Sequence, residues 1–350
     1  MRRRHAAAPG PPRAYGAPAA NGVLRAEPED FVVEEELGFA PAGNGAHLLL
    51  KIRKRNANTQ WVARELTRLA GCRPADAGYA GLKDRRAVAV QWFSVPRPRT
   101  ALDWHELRRP EFEVLEVHEH TRKLPRGALA GNRFAVRIRA QDGEGAELGE
   151  RLAPRLAAIA QRGVPNYFGI QRFGRDAGNL QRLGTPLHDL PRDQRGFVLS
   201  AARSVIFNAV LAARVTAGSW ERLRAGDLAN LDGRGSVFHV EAVDAELLAR
   251  CERLEIHPTG PLWGEGNPES GGEVLELERT VAAGLEPAAA ACVAARMRQE
   301  RRSLRIAVHE LRCEVEPQAV RIHFRLARGC FATAVLAELI ETRSEMPEGA

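Results

Sequence analysis

The chain has 350 residues, room for about two domains at roughly 150 residues each. Its 44% hydrophobic and 27% charged content excludes a disordered or fibrous protein. Its net charge is +7, and only four of its 51 cations are lysines (Lys51, Lys54, Lys83 and Lys123). None of the four follows Gly and precedes Ser or Thr, which rules out a phosphate-cradling Walker loop. Five cysteines without a CxxC spacing argue against a zinc knuckle and a disulfide framework.

The tail Met1–Ala26 is rich in Arg, Ala, Pro and Gly and holds no acid before Glu27. No apolar h-region follows it, and no run of about 18 apolar residues stands out as a membrane span. The expectation is a cytoplasmic protein whose first twenty residues form a disordered basic arm. Divided along the chain, the charge is +5 over Met1–Ala26, −6 over Glu27–Leu50, +11 over Lys51–Arg139 and −3 thereafter. A block of some ninety residues carrying that much positive charge is suited to neutralising phosphates and steering a polyanion. Nucleic acid is the expected partner.

In chain order, Phe31–Glu36 and His47–Arg53 are predicted strands. Asn58 caps a predicted helix through Leu69, with Val62, Leu66 and Leu69 on one face and Gly71 ending it. Ala87–Val95 and Asn132–Arg139 are strand-like. In the second, Phe134, Val136 and Ile138 alternate with Arg133, Arg137 and Arg139, which predicts a sheet with one apolar and one cationic face. A helix over Ala146–Gly163 carries Pro154. Helices follow at Phe197–Val215, Asp244–Leu254 and Ala288–Arg301, with loops at Thr185–Arg195 and Gly266–Gly272 and a turn at Asp232–Gly235. Strands are predicted again at Leu304–Val315 and Ala319–Leu326, and a helix at Phe331–Glu341. Strands, a mixed helical block, then strands again point to an insertion into one α+β domain.

Three segments hold candidate chemistry. Gly78-Tyr79-Ala80-Gly81-Leu82-Lys83-Asp84-Arg85-Arg86-Ala87 is a glycine-bounded loop with a single carboxylate among three cations, which favour its ionised form. Such an aspartate suits nucleophilic or electrostatic work, although a solvated turn with a surface ion pair has the same composition. Asn166–Gly174 gathers three aromatics and an arginine in a chain that is only 6% aromatic, and rings and guanidinium planes are what unstacked bases pack against. A buried turn with core aromatics is the alternative there. Gly329-Cys330-Phe331-Ala332-Thr333 sets a Phe at the entrance to a helix. His118 and His120 share a strand face but have no nearby third ligand, so no metal site is expected.

These residues resemble the TruD-type tRNA pseudouridine synthases. The likeness runs from about Val23 to Ile340: Pro28-Glu29-Asp30-Phe31-Val32-Val33-Glu34, Asn58-Thr59, Ala80-Gly81-Leu82-Lys83-Asp84 with Ala87 and Gln91, Gly131-Asn132-Arg133-Phe134, and Asn166 through Gly174. It continues with Leu199 through Ser204, Phe207-Asn208, Gly260-Pro261-Leu262-Trp263-Gly264, and Gly329 through Thr333. Ala89 and Ala327-Arg328 depart from the family's usual Thr and Pro without removing a proposed chemical group.

The resemblance implies an α+β pseudouridine synthase catalytic domain with a mixed β-sheet, formed by residues 21–158 and 305–350, and an inserted α/β TRUD-specific domain over 159–304. It implies isomerisation of uridine 13 in the D-arm of tRNA, with Asp84 catalytic and neither cofactor nor metal. Phe31, Asn132 and Phe331 match substrate-binding positions. Phe134 matches the aromatic that packs on the target base, Arg25 the basic residue beside the aspartate, and Lys83 belongs to the same substrate-binding motif.

Overall fold

Alternation of apolar and charged side chains within Asn132–Arg139 builds the strand, Leu129–Ala140, on which the larger sheet is organised. The computed structural model describes residues 10–98, 100, 102–141, 143–185 and 187–342. Two units emerge among them: residues 19–160, 308–329 and 339–342 in one, and 10–18, 161–307 and 330–338 in the other.

The first unit is built on a sheet whose strands are β1 (Ala20–Leu24), β2 (Phe31–Leu37), β3 (His47–Arg55), β4 (Gly78–Tyr79), β5 (Val88–Pro96), β6 (Phe112–His120), β7 (Leu129–Ala140), β8 (His309–Glu316), β9 (Ala319–Ala327) and β10 (Ile340–Thr342). Its main path runs β8-β9-β7-β2-β5-β3-β6, with β1 on β7 and β10, and β4 on β5. The β2–β5 and β1–β10 pairs are parallel and the rest antiparallel, so the sheet is mixed. Helix α1 (Thr59–Ala70) starts where Asn58 Oδ1 accepts from the Gln60 and Trp61 amides and stops at Gly71, whose φ of 67° is the left-handed cap glycine tolerates. Its Val62, Ala63 and Leu66 pack with Leu50, Ile52, Phe93, Val95, Phe112 and Val114 of the sheet. Burying so many aliphatic and aromatic side chains contributes about 1.5–3 kcal/mol each before entropy is counted.

The expected cationic face of β7 is neutralised. Arg133 pairs with Glu36 and Glu310, Arg137 with Glu316, and Arg139 with Asp30 and Glu27. Glu36 comes from β2, Glu310 and Glu316 from β8 beyond β9, and Asp30 and Glu27 from the turn before β2, so these three arginines tie the strands and that turn together. Much of the Lys51–Arg139 charge is matched similarly: Lys51 with Glu34 and Glu116, Arg53 with Glu113, Arg55 with Glu29, Arg109 with Glu65.

The second unit centres on the helix Arg192–Thr216, which begins five residues before the expected start. Its segment Gln194–Thr216 is long and apolar enough to cross a membrane by length and composition, a feature the search for unbroken apolar runs misses. In the fold, Val198, Ala201, Ala202, Ile206, Phe207, Val210 and Leu211 of this helix are buried. A four-stranded sheet accompanies it in the order Val237–His239, Leu228–Leu231, Ile256–Leu262, Glu300–Ser303. Arg214, fully buried, is held by Asp227 and by the carbonyls of Ser219 and Arg222.

Several expectations are corrected. The stretch Leu304–Val315 is two strands: Arg305–Ile306 pairs with Val164–Pro165, and His309–Glu316 pairs with β9, because the chain passes from one unit to the other at Ala307. The helix expected over Ala288–Arg301 spans Glu286–Ala294; Arg296 then turns left-handed (φ 51°) and Glu300–Ser303 join the smaller sheet. The final helix ends at Leu339, and Ile340–Thr342 become β10. Residues 330–338 lie with the second unit, whereas the expected border placed everything after 305 in the first. Residues 1–9 of the expected disordered arm lie outside the described residues. The rest is ordered: the Tyr15 ring meets Trp220 edge-on at 6.3 Å, its hydroxyl donates to the Gly163 carbonyl at 2.6 Å, and Ala20–Leu24 is a strand.

Candidate active site

One face of the larger sheet collects most of the expected site. Across β2 and β7, Phe31 lies opposite Val136, Val33 opposite Phe134 and Glu35 opposite Asn132. Antiparallel partners project to the same side, so Phe31, Glu35, Asn132 and Phe134 share a face. The Phe31 and Phe134 rings meet edge-on at 6.1 Å, and Phe134 stacks on Phe324 of β9 at 5.2 Å.

Asp84 stands on the exposed loop between β4 and β5. Its Oδ2 receives the Arg25 guanidinium at 2.7 Å and its Oδ1 the Arg86 amide at 3.0 Å. The Arg25 guanidinium also lies 4.4 Å above the centre of the Phe31 ring, a cation–π geometry. Arg25 therefore bridges the carboxylate and the aromatic face, and its backbone occupies the left-handed region (φ 58°), which is costly for a residue with a Cβ. Asp84 and Arg25 keep about a third of their side-chain surface exposed, at 36% and 30%, so the carboxylate is both oriented and open. Next to it, Arg85 is exposed and has no carboxylate partner among the described residues.

The backbone under Asp84 is held by buried polar groups. Lys54 Nζ donates to the carbonyls of Asp84 at 2.9 Å and Ala57 at 2.7 Å. Thr59 Oγ1 accepts from the Lys83 amide and donates to Gln91, whose amide donates to the Gly81 carbonyl. Lys83 departs from expectation. Its ammonium turns inward to the buried Glu35 at 2.7 Å, and Glu35 also accepts from the Trp92 amide. Lys83 thus ties the loop to β2. Lys54, Glu35, Thr59 and Gln91 were not among the expected site residues. The signal for Lys54 is the strand period: it continues the buried series Leu48, Leu50, Ile52 on β3.

Asn132 is buried, and its Oδ1 accepts no hydrogen bond among the described residues. A buried acceptor without a partner is uncommon, and this one lies two residues from Phe134 on the same strand face. Phe331 belongs to the other unit, where it precedes the helix Ala332–Leu339 and is 42% exposed.

The Asn166–Gly174 segment is largely structural. Phe168 is buried, edge-on to Phe207 at 5.4 Å, with the guanidinium of Arg302 4.2 Å from its centre and that of Arg172 4.9 Å away. Asn208 exchanges hydrogen bonds with both the amide and the carbonyl of Phe168. Phe168 and Asn166 therefore fix a turn, and Ile170, 78% exposed, stands out beside the exposed Gln171 and Arg172. His118 and His120 each have a separate partner, Glu116 for the first and the Ala42 amide for the second.

Arg25→Ala is expected to slow turnover about 10–100-fold by releasing Asp84, the range typical of a lost orienting partner. Stability should fall by no more than about 1 kcal/mol, because the pair is solvent-exposed. Single-turnover rates and thermal denaturation on one preparation test both halves.

The larger unit is thus a mixed sheet bearing an oriented aspartate beside aromatic rings. The same fold occurs in a crystal structure from Methanosarcina mazei described as a candidate tRNA pseudouridine synthase D, with a TM-score of 0.67 and 23% identity over 93% of this chain and 96% of that one. The profile of the family tRNA pseudouridine synthase D (TruD) matches residues 13–188 and 184–339. The tRNA pseudouridine synthase D of Methylococcus capsulatus is 44% identical over 336 residues, 94% of either chain. That of Chromohalobacter salexigens is 44% identical over 94% of this chain and 96% of its own. The chain belongs to the TruD family.

Proposed function

We propose that this protein isomerises uridine 13 in the D-arm of tRNA to pseudouridine, in the cytoplasm and without a cofactor, with Asp84 as the catalytic aspartate. The observation that carries the reading is the Asp84–Arg25 pair at 2.7 Å, on a loop whose backbone is clamped from beneath. Family membership supplies the reaction class.

The target base leaves its stack at a cost of a few kcal/mol, which stacking on aromatic side chains offsets at roughly 1–3 kcal/mol per base. Phe31 and Phe134 form the aromatic floor, and the unpartnered Asn132 Oδ1 accepts from a pyrimidine N–H. With Asp84 acting at the nucleoside, the N1–C1′ bond breaks, the uracil turns, and C5 bonds to C1′. C5 loses a proton and N1 gains one, so the atoms balance and no redox partner is required.

Incubation of unmodified tRNA with the protein alone, followed by carbodiimide primer extension, should give a stop at uridine 13. Modification confined to another position, or none at all, would overturn the reading. Phe331→Ala is expected to leave the melting temperature nearly unchanged, since the ring is half exposed. Engagement of the target uridine should weaken by about 1–3 kcal/mol, measured as a single-turnover half-saturation constant.

A further inference from the structure

The strongest feature not absorbed by the proposed reaction is Lys54. It is fully buried on β3, in phase with core residues, and spends its ammonium on two backbone carbonyls rather than on a carboxylate. One of those carbonyls belongs to Asp84 itself; the other belongs to Ala57, just before the Asn58 cap of α1. A charge without a paired counter-ion is expensive to bury, and an apolar side chain would serve the core at this position.

We propose that Lys54 is a positioning residue: its protonated amine pins the Asp84 carbonyl to the start of α1 and so sets the direction of the Asp84 carboxylate, and loss of that proton releases the loop. This deepens the reading of Asp84 as catalytic and rests on it.

The titratable and charged groups around Lys54 are Asp84, Lys83 and Glu35. Burial, reinforced by Lys83, outweighs the two carboxylates and pulls the amine down to about 8. An unfolded lysine titrates near 10.4, so between these values the unfolded chain binds more protons and stability rises with pH. The orienting hydrogen bonds weaken over the same interval. The Lys54 contribution to stability therefore rises above pH 8 while turnover falls, and it is read as the difference between wild type and Lys54→Gln, because burial raises all five cysteine thiols and these lower stability as pH rises.

The experiment compares wild type, Lys54→Met, Lys54→Gln and Asp84→Asn in single-turnover assays on unmodified tRNA from pH 6.5 to 9.5, with melting temperatures at each pH. For wild type, the rate at saturation should fall above about pH 8 while half-saturation stays flat and the melting temperature rises relative to that of Lys54→Gln. Lys54→Met should be tens of times slower at neutral pH, with half-saturation within about three-fold and no descending limb assignable to this amine. Lys54→Gln, which still donates to a carbonyl but does not titrate, should recover part of the rate and show a flat profile. Wild-type rates in Lys54→Met overturn the inference, as does a loss confined to half-saturation. If Lys54→Met does not fold, a wild-type rate that stays flat to pH 9.5 overturns it, and so does a descending limb retained in Lys54→Gln. An active Asp84→Asn would instead sink the underlying assignment of Asp84, so the two failures are distinct.

Discussion

Asp84→Asn is expected to lower the single-turnover rate by roughly 10³-fold or more, as removal of a reacting carboxylate does, while tRNA affinity stays within a few-fold. The geometry makes this substitution clean. An asparagine Oδ1 can still accept from the Arg86 amide, and the Lys54, Thr59 and Gln91 contacts reach only backbone atoms of the loop. Arg25 can keep its place over the Phe31 ring. Binding survives because removing a negative charge from a surface facing phosphate does not weaken the attraction. Single-turnover pseudouridine formation and filter binding on the same transcript measure both quantities. A rate near that of wild type would remove Asp84 from the reaction.

Phe134→Ala should have the largest effect on stability, about 3–5 kcal/mol, the usual cost of emptying an aromatic core position. The ring is buried, stacked on Phe324 and edge-on to Phe31, so its loss opens a cavity where β2, β7 and β9 meet. Phe134→Leu keeps most of the apolar volume and should return stability to within about 1.5 kcal/mol of wild type. It should leave turnover slow, because a leucine has no face on which a base can stack. Denaturant unfolding and single-turnover kinetics separate the two roles. Recovery of both by leucine would make Phe134 packing only.

The contrast among the basic residues follows from the same geometry. Arg53 and Arg55 stand in the most positive part of the chain, yet each already faces a glutamate, Glu113 and Glu29. Reversing them would break a pair as well as repel phosphate. Arg85, exposed beside Asp84 without such a partner among the described residues, is the cleaner probe of tRNA attraction.

The sequence by itself determined the elements whose signals are local. Asn58 and Gly71 bracket α1 because a side-chain acceptor and a left-handed glycine act within a few residues. Period-two alternation identified β7 and β9 because one face of each packs on a core. Asp84, Phe31, Asn132 and Phe134 could be singled out as candidates because they stand in short motifs that resemble a family's, and Arg25 because it falls where that family has a basic residue. Tertiary structure decided what depends on distant partners. Ile256–Leu262 contains Pro258, Gly260 and Pro261, which argue against a strand, yet pairing with Leu228–Leu231 on one side and Glu300–Ser303 on the other holds it extended. The Arg133, Arg137 and Arg139 face reads as cationic along one strand and becomes neutral only when β2, β8 and the turn before β2 bring Glu36, Glu310, Glu316, Asp30 and Glu27 alongside. Lys83 could not be assigned between substrate and core from its neighbours, because Glu35, the carboxylate that captures it, lies 48 positions earlier on β2. Charge partners and strand partners are set by the fold of the whole chain, and a motif carries no record of them.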